Sequence, residues 1–277
     1  MEFNCSDINV WKEALSSYSS RILSLGKPNL PSLDEFYRTE LPSRLHARLP
    51  EPYLTKSELH SLMQWKLTRG KYRPRLLGFV SSLDEALVKS ASQKAFLSLP
   101  DVSKAVSELT VLKGVGPATA SAVLAAFDPA VAPFMSDEAM NAVLGNSKDY
   151  SLKQYLQLAS GLQEKAKVGL LDAIPFALVF KIKMLECQGS AEYGRAKSNG
   201  KIKIGVRGFD FSREVRTEKE GVTDLDNELS SEDEVFTASD VERALWSSAV
   251  GAKLSRLSEK PTSRANPKIS CKRKRCC

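Results

Sequence analysis

Apolar residues recur at three- and four-residue spacing through the first 190 positions of the chain. This spacing predicts consecutive α-helices, because residues in a strand would alternate singly between apolar and polar. Two predicted helices each carry one continuous apolar face, formed by Leu59, Leu62, Met63 and Leu67 and by Tyr155, Leu158, Leu162 and Ala166. Faces of this kind pack into a core. The pattern therefore predicts an all-α domain over residues 1–190, including a buried helix over residues 173–185.

Several predicted helix starts have a hydroxyl residue followed three positions later by an acid or an amide. In such a capping box the hydroxyl accepts a hydrogen bond from the third backbone amide, and the acid or amide side chain bonds back to the first. The predicted boxes are Ser32 with Glu35, Thr55 with Glu58, Ser82 with Glu85, Ser151 with Gln154, and Ser239 with Glu242.

The composition changes beyond about residue 191, where Gly, Ser, Lys and Glu become frequent. Residues 214–240 are acidic and poor in apolar side chains, so burial there does not offset the entropy lost on ordering. We therefore predict a largely disordered C-terminal tail over residues 191–277, with a short strand or none over residues 201–211. Within it, Val241, Leu245 and Trp246 predict a short helix over about residues 240–254, which either docks on the core or binds a protein partner.

The chain carries 40 Lys and Arg against 33 Asp and Glu, a net charge of +7 that weakly favours a polyanionic partner. Its basic end, residues 260–277, contains no acid and includes Lys272, Arg273, Lys274 and Arg275 in succession. Four consecutive cations are typical of a nuclear import signal or a non-specific nucleic-acid contact, although a merely solvated tail has the same composition. We predict a nuclear protein.

Other function classes are disfavoured by composition. No uninterrupted apolar stretch of about 18 residues occurs and the first ten residues do not resemble a secretory signal, so we expect no membrane association. The five cysteines are odd in number and without paired spacing, and the two histidines, His46 and His60, belong to no ligand cluster. We therefore expect neither a disulfide framework nor a metal or other cofactor.

Residues 112–117 read Leu-Lys-Gly-Val-Gly-Pro and lie between two helical patterns. They predict a helix-hairpin-helix motif over residues 102–126, whose second helix begins at Pro117. Glycines let the backbone approach a ligand closely, and the first amides of the second helix point outward, as phosphate binding requires. Val115 would pack into the core of the hairpin. The alternative is a tight turn between helices whose small residues, Ala118, Ala122 and Ala126, serve packing.

The predicted DNA-binding residues of this motif are Lys113, Gly114, Val115, Gly116, Thr119 and Ser121. The alternative for the hydroxyls of Thr119 and Ser121 is a bond back to their own helix. A second candidate is the strip over residues 65–75, in which Lys66, Arg69, Lys71, Arg73 and Arg75 are interleaved with Trp65 and Tyr72. Cations and aromatic rings together supply phosphate contacts and stacking surfaces. The alternative is a helix end with capping cations and a buried Trp65.

Downstream of the hairpin, an Ala-rich helix ends at Phe127 and a short apolar loop leads to Ser136, Asp137 and Glu138. Over residues 102–144 this arrangement resembles the helix-hairpin-helix DNA glycosylase superfamily. Residues 65–75 and 133–139 look like its divergent, Amun-type eukaryotic branch. The resemblance implies an all-α, two-lobed fold in which hairpin and aspartate flank a cleft for an extruded nucleotide.

The resemblance also implies the chemistry. In the superfamily the aspartate matching Asp137 stabilises the cationic sugar that develops as the base leaves, a task suited to a fixed negative charge. Members that also cleave the strand place a lysine where this chain has Ala118, so the resemblance implies base removal without β-elimination. The four-cysteine loop of many members is missing, so no iron–sulfur cluster is expected. The alternative to a catalytic role is that Asp137 and Glu138 only stabilise the start of a helix, where carboxylates interact favourably with the helix dipole.

Three functions remain open at this point. The first is a monofunctional DNA N-glycosylase acting in base-excision repair with Asp137 as the catalytic residue. The second is a catalytically inactive relative that serves as a DNA- or chromatin-binding adaptor. The third is a helical interaction protein that binds no nucleic acid and whose association would lack steep salt dependence.

Overall fold

The computed structural model describes residues 1–145, 149–173 and 236–258. In these ranges the regular structure is entirely helical, which confirms the all-α prediction. The described residues up to Gly169 and from Phe236 onward belong to one compact unit, and the features below lie within it. No helix among the described residues is both long enough and apolar enough to span a membrane.

The helices are numbered in chain order. A single π-helical turn, Phe36–Glu40, continues the third helix into the fourth. The helices are α1 (Ile8–Ser16), α2 (Tyr18–Ser24), α3 (Leu30–Glu35), α4 (Leu41–His46), α5 (Lys56–Arg69), α6 (Arg75–Ser81), α7 (Glu85–Ser98), α8 (Val102–Thr110), α9 (Pro117–Phe127), α10 (Asp137–Leu144), α11 (Leu152–Ala173) and α12 (Ala238–Ser258).

Helix α5 packs against α3, α6, α7 and α9, so it runs through the centre of the unit. The apolar face predicted for it is buried, and so is the face predicted for α11. Full burial of one such side chain contributes about 1.5–3 kcal/mol. Trp65, on the same helix, stacks on Tyr37 with ring centroids 3.5 Å apart and donates from Nε1 to Asp34 at 2.8 Å. Trp65 is therefore a core residue, which corrects its interpretation as a stacking surface for DNA bases.

Helix α12 is part of the same unit as the first 169 residues, although it follows a long acidic segment in the sequence. It packs on α1, α2 and α10, and Val241, Leu245 and Trp246 are buried there. Of the two alternatives for this helix, docking on the core is confirmed. Its apolar face is not available to a protein partner, and the predicted boundary near residue 190 does not separate it from the helical domain.

The helix starts test the predicted capping boxes. Thr55 and Glu58 form both expected hydrogen bonds, and Ser151 Oγ accepts from the amide of Gln154 at 3.4 Å. The other three predictions are wrong, because a neighbouring side chain or backbone satisfies the first turn instead. Helix α3 already begins at Leu30, Asp84 caps α7, and a box of Thr237 with Asp240 begins α12.

Some predictions fall on residues that the structure does not describe. These are most of the helix predicted over residues 173–185, the strand predicted over residues 201–211, the disordered tail before residue 236 and the basic end.

Candidate functional site

Helices α8 and α9 are joined by a tight turn over residues 111–116, which we call the glycine turn. Val115 donates its amide to the carbonyl of Leu112 at 3.0 Å and buries its side chain, as predicted. Gly114 has φ +89°, a conformation that favours glycine. A Cβ on Gly114 would lie 2.7 Å from the Cβ of Phe79, so both conformation and space exclude a side chain there.

Gly116 plays a different part in the same turn. Its φ of −100° and ψ of −178° are accessible to any residue, and no atom lies within 4 Å of where its Cβ would be. It is the N-cap of α9, and its carbonyl accepts from the amides of Thr119 and Ala120, each at 2.9 Å. The amides of Gly116 and Ala118 have no acceptor among the described residues. Free amides at the start of an eleven-residue helix form a natural binding site for an anion.

Asp137 is the first residue of α10, and Ser136 caps this helix by accepting from the amide of Ala139 at 3.3 Å. The Oδ1 of Asp137 accepts a hydrogen bond from the Tyr150 hydroxyl at 2.7 Å, which holds the carboxylate in one orientation. Burial and the neighbouring Asp137 raise the pKa of Tyr150, so the phenol keeps its proton at neutral pH. Asp137 therefore both begins the helix favourably and presents a positioned carboxylate.

The loop before Asp137 is tied to the hairpin through Ser121 on α9. The buried hydroxyl of Ser121 donates to the carbonyl of Ala118 at 3.1 Å and accepts from the amide of Met135 at 3.0 Å. Of the two alternatives for the Ser121 hydroxyl, a DNA contact or a hydrogen bond within its own helix, the second is confirmed. Thr119 is only 2% exposed, so little of its side chain remains for the predicted DNA contact.

The glycine turn and Asp137 line the same cleft, which has a volume of about 910 Å³. This juxtaposition is the central geometric result, because the two features lie more than twenty residues apart in sequence. Helix α5, the α5–α6 loop and helix α12 complete the walls. Residues lining the cleft include Lys66, Arg73, Lys113, Gly114, Gly116, Asp137, Tyr150, Trp246 and Lys253.

The basic residues of the strip over residues 65–75 differ in their exposure and in whether they line the cleft. Lys71 and Arg73 are exposed and line the cleft, and the guanidinium of Arg73 lies 5.3 Å from the centroid of the Tyr150 ring. Arg75 is exposed at the first position of α6 but is not among the residues that line the cleft. Lys113 in the glycine turn is also exposed, with Nζ 5.1 Å from the centroid of the Phe79 ring.

Lys66 lies deeper in the same cleft. Burial and the neighbouring Arg73 lower the pKa of Lys66 to about 8, although the charge of Asp137 opposes this shift. Its ammonium is therefore a weaker phosphate ligand above neutral pH than the ammonium of an exposed lysine.

The predicted DNA contact of Arg69 is wrong for this structure. Its side chain is buried and donates from both terminal nitrogens to Glu242 of α12, at 3.1–3.2 Å. The guanidinium also lies 4.4 Å from the centroid of the Trp246 ring. Burial alone would lower the pKa of Arg69, but the combined Coulombic attraction of Glu242 and its other neighbours, Tyr18, Asp34 and Glu138, raises it. Arg69 is therefore a permanent internal cation that fastens α12 to α5.

Sequence reasoning did not find Tyr150, Trp246 or Lys253, which also line the cleft. Lys253 of α12 forms an ion pair with Glu138 at 2.9 Å across the cleft wall. No local signal marks these residues, because Trp246 and Lys253 reach the site through the packing of α12 and Tyr150 lies in the segment before α11, outside any motif.

No family model, curated protein or solved structure matches this chain. Among the described residues, no group of three or more His, Cys, Asp or Glu lies together as metal ligands would.

Proposed function

We propose that this protein is a DNA N-glycosylase in which residues 102–126 act as a helix-hairpin-helix. The observation that carries the proposal is the shared cleft, in which an anion-binding helix start and a positioned carboxylate face the same space. A volume of about 910 Å³ lies within the usual range of roughly 300–1,000 Å³ for ligand sites. A nucleotide turned out of a duplex is a ligand of suitable size and chemistry.

Backbone contact comes first in this proposal. The free amides of Gly116 and Ala118 donate hydrogen bonds to a phosphate oxygen. The exposed side chains of Lys71, Arg73 and Lys113, which also line the cleft, add positive charge for further phosphate contacts. Extrusion of a nucleotide costs a few kcal/mol of stacking and pairing, which these contacts offset. The partly exposed apolar side chains of Leu76 and Leu254 line the same cleft and offer the extruded base an apolar wall.

Asp137 then acts on the glycosidic bond. As that bond lengthens, positive charge develops on the sugar, and a carboxylate held by Tyr150 stabilises it without reorganising. The same carboxylate can accept a proton from the attacking water. The products are the free base and an abasic site. A nuclear location, argued from the four cations at residues 272–275, belongs to the same proposal.

The test uses duplexes that carry uracil, alkylated or oxidised bases. The full chain is expected to generate alkali-labile abasic sites in at least one duplex, and Asp137→Asn to abolish them while duplex binding is retained. Asp149→Asn is the matched control, because Asp149 is exposed and, among the described residues, hydrogen-bonds to Ser151 alone. Base release undiminished in Asp137→Asn would refute the mechanism.

Binding and catalysis are separated by the salt dependence of duplex binding. Phosphate contacts by several cations predict that affinity falls steeply as salt rises. Salt-sensitive binding without base release from any duplex would favour the adaptor function, and no salt-sensitive binding would refute both functions that involve DNA.

A further inference from the structure

A second cavity of about 320 Å³, which we call the second cavity, lies in the same helical unit as the cleft. It shares Arg69 and Phe134 with the cleft, and its other lining residues are different. Its walls come from α2, α4, α5, α9, the π-helical turn and the first turns of α12. The volume lies near the lower end of the usual range for ligand sites, roughly 300–1,000 Å³, so this cavity suits a small molecule.

Much of the lining of the second cavity is apolar. Tyr37, Ala125 and Phe134 each keep 8% of their surface exposed. Partly exposed Pro42 and exposed Pro129 extend this surface toward solvent. Removing an apolar group from water against such a surface is favourable, so the cavity offers contact area to a compact apolar group.

Both carboxylates that line the second cavity are already committed within the fold. The Oδ2 of Asp240 accepts from the amide and the hydroxyl of Thr237 at 2.8 and 2.6 Å, and its Oδ1 accepts from Arg243. The carboxylate of Glu242 accepts from Arg69 at 3.1–3.2 Å. These acids therefore have structural partners and do not call for a cationic ligand.

The guanidinium groups of Arg38 and Arg243 are not used up in the same way. Arg38 lies 3.8 Å from the carboxylate of Asp34 and donates no hydrogen bond within the described ranges. Arg243 donates through Nη2 to Asp240, and its Nε and Nη1 have no acceptor in the part of the chain that the structure describes. The two side chains are 33% and 25% exposed, so both donor sets are accessible.

The two arginines come together although they are more than 200 residues apart in sequence. Their guanidinium carbons lie 4.9 and 6.0 Å from the centroid of the Tyr18 ring. Burial and the charge of Arg243 lower the pKa of Arg38, as expected for like charges held close together in a half-buried place. An anion between the two groups would relieve this repulsion and accept from the unused donors.

The chemistry of the donors defines the ligand. A guanidinium presents its N–H groups as a planar fork that matches the two oxygens of a carboxylate or a phosphate. We propose that the second cavity binds a small oxyanion, a carboxylate or a phosphate monoester, carried on a compact apolar group. Arg38 and Arg243 hold the anion, and the apolar group lies against Pro42 and Tyr37. This site does not depend on DNA binding or on base excision.

The test uses four probes that share one aromatic ring. Benzoate and phenyl phosphate carry the two candidate anions, whereas benzamide and benzylamine are neutral and cationic counterparts. Binding to the full chain is measured by saturation-transfer NMR titration, and ligands this small bind with a Kd of roughly 0.1–10 mM. We expect one anionic probe to bind at least about tenfold more tightly than benzamide or benzylamine. The tighter of the two anions identifies the natural ligand as a carboxylate or a phosphate ester.

Substitutions locate the binding site. Arg38→Gln should weaken binding of the anionic probe by about 10–100-fold, the effect of losing hydrogen bonds to a charged group. Its thermal unfolding should be nearly unchanged, because the pair with Asp34 at 3.8 Å contributes little. Arg44→Gln is the matched control, because Arg44 is an exposed arginine one helical turn away from Pro42 and His46 that does not line the second cavity. It should bind the probe as the unchanged chain does.

Hydrogen exchange gives an independent measure of location. Arg38 precedes α4 and Arg243 lies on α12, so a ligand held by both should slow amide exchange in peptides that cover residues 36–46 and 237–247. Peptides that cover the glycine turn should exchange at an unchanged rate. Protection of the glycine turn alone would assign the probe to the cleft and overturn the second site.

Three further results would overturn the proposal. They are the absence of binding by either anionic probe, equal binding of benzoate and benzamide, and undiminished binding in Arg38→Gln. Duplex binding by Arg38→Gln should equal that of the unchanged chain, because Arg38 does not line the cleft. The second cavity and the proposed function therefore stand or fall separately.

Discussion

The hydroxyl of Ser121 accepts a hydrogen bond at 3.0 Å from the backbone amide of Met135, two residues before Asp137. It joins the second helix of the hairpin to the loop that starts α10. The distance between the free amides at the start of α9 and the Asp137 carboxylate is therefore set in part by one side chain.

Ser121→Ala removes this link and leaves the buried amide of Met135 without an acceptor. We expect the free energy of unfolding to fall by about 1–3 kcal/mol, measured by urea denaturation. The loop should also loosen, so any base release by Asp137 should weaken more than duplex binding does. Ser107→Ala is the matched control, because Ser107 makes a similar bond to its own helix but is exposed. Equal effects of the two substitutions would contradict a role for the link.

The two glycines of the glycine turn predict opposite phenotypes. Gly114→Ala should destabilise the protein by at least about 1–2 kcal/mol, because its φ is positive and its Cβ would meet Phe79. Gly116→Ala should change stability by less than about 0.5 kcal/mol, because its backbone suits any residue and its surroundings are open.

If the amides of the α9 start bind phosphate, Gly116→Ala should nevertheless weaken duplex binding, because the added methyl group obstructs the approach of a strand. Thermal unfolding and a gel-shift titration measure the two effects separately. If a stably folded Gly116→Ala chain binds the duplex with unchanged affinity, the glycine turn does not contact DNA.

The buried pair of Arg69 and Glu242 predicts how firmly α12 is held. Removing one partner strands the other charge in the core, so Arg69→Ala or Glu242→Ala should each cost about 3–5 kcal/mol. The double substitution Arg69→Met with Glu242→Leu should cost much less than the sum, because no buried charge remains. Limited proteolysis around α12 gives a second measure. Arg44→Ala, which breaks an exposed pair with Glu40 one turn earlier, should change stability by under about 1 kcal/mol.

The ionisation of Glu58 determines part of the way in which the free energy of unfolding depends on pH in the acid range. Burial alone would raise the pKa of Glu58, but hydrogen bonds from Arg48 and Thr55 outweigh it and lower the pKa. A carboxylate with a lowered folded pKa stabilises the fold above its ordinary pKa of about 4.3 and loses that contribution as pH falls through the folded value. Glu58→Gln should therefore be less stable than the unchanged chain at pH 7, and the difference should shrink toward pH 3. A difference that is the same at both pH values would contradict this assignment.

The helical character and the buried faces could be predicted because they depend on local spacing. Leu59 and Leu62 on α5 and Tyr155 on α11 are buried as the pattern required. Arg69 could not be assigned in the same way, since its partner Glu242 lies 173 residues away in sequence. From the sequence alone, an arginine within a basic strip is predicted to be exposed. Arg69 is buried instead, because the fold brings the buried carboxylate of Glu242 next to it.

The residues of the candidate site could likewise be predicted only where a local sequence signal marks them. The glycine turn and Asp137 carry local signals, namely two glycines before a helix-starting proline and an acid after a capping serine. Tyr150 carries none, because its significance comes from the hydrogen bond to Asp137 that the fold brings about. Competition between neighbouring caps explains the failed helix starts, as where Thr237 with Asp240 displaces Ser239 with Glu242.

The docking of α12 has a consequence for synthesis on the ribosome. Trp246 and Lys253 form part of the cleft wall, and Glu242 neutralises Arg69, yet all three emerge after residues 174–235 have been translated. A nascent chain that ends before residue 236 carries an unneutralised arginine among aromatic rings and a cleft open on one side. The helical unit and its cleft are therefore completed only late in translation, when α12 arrives.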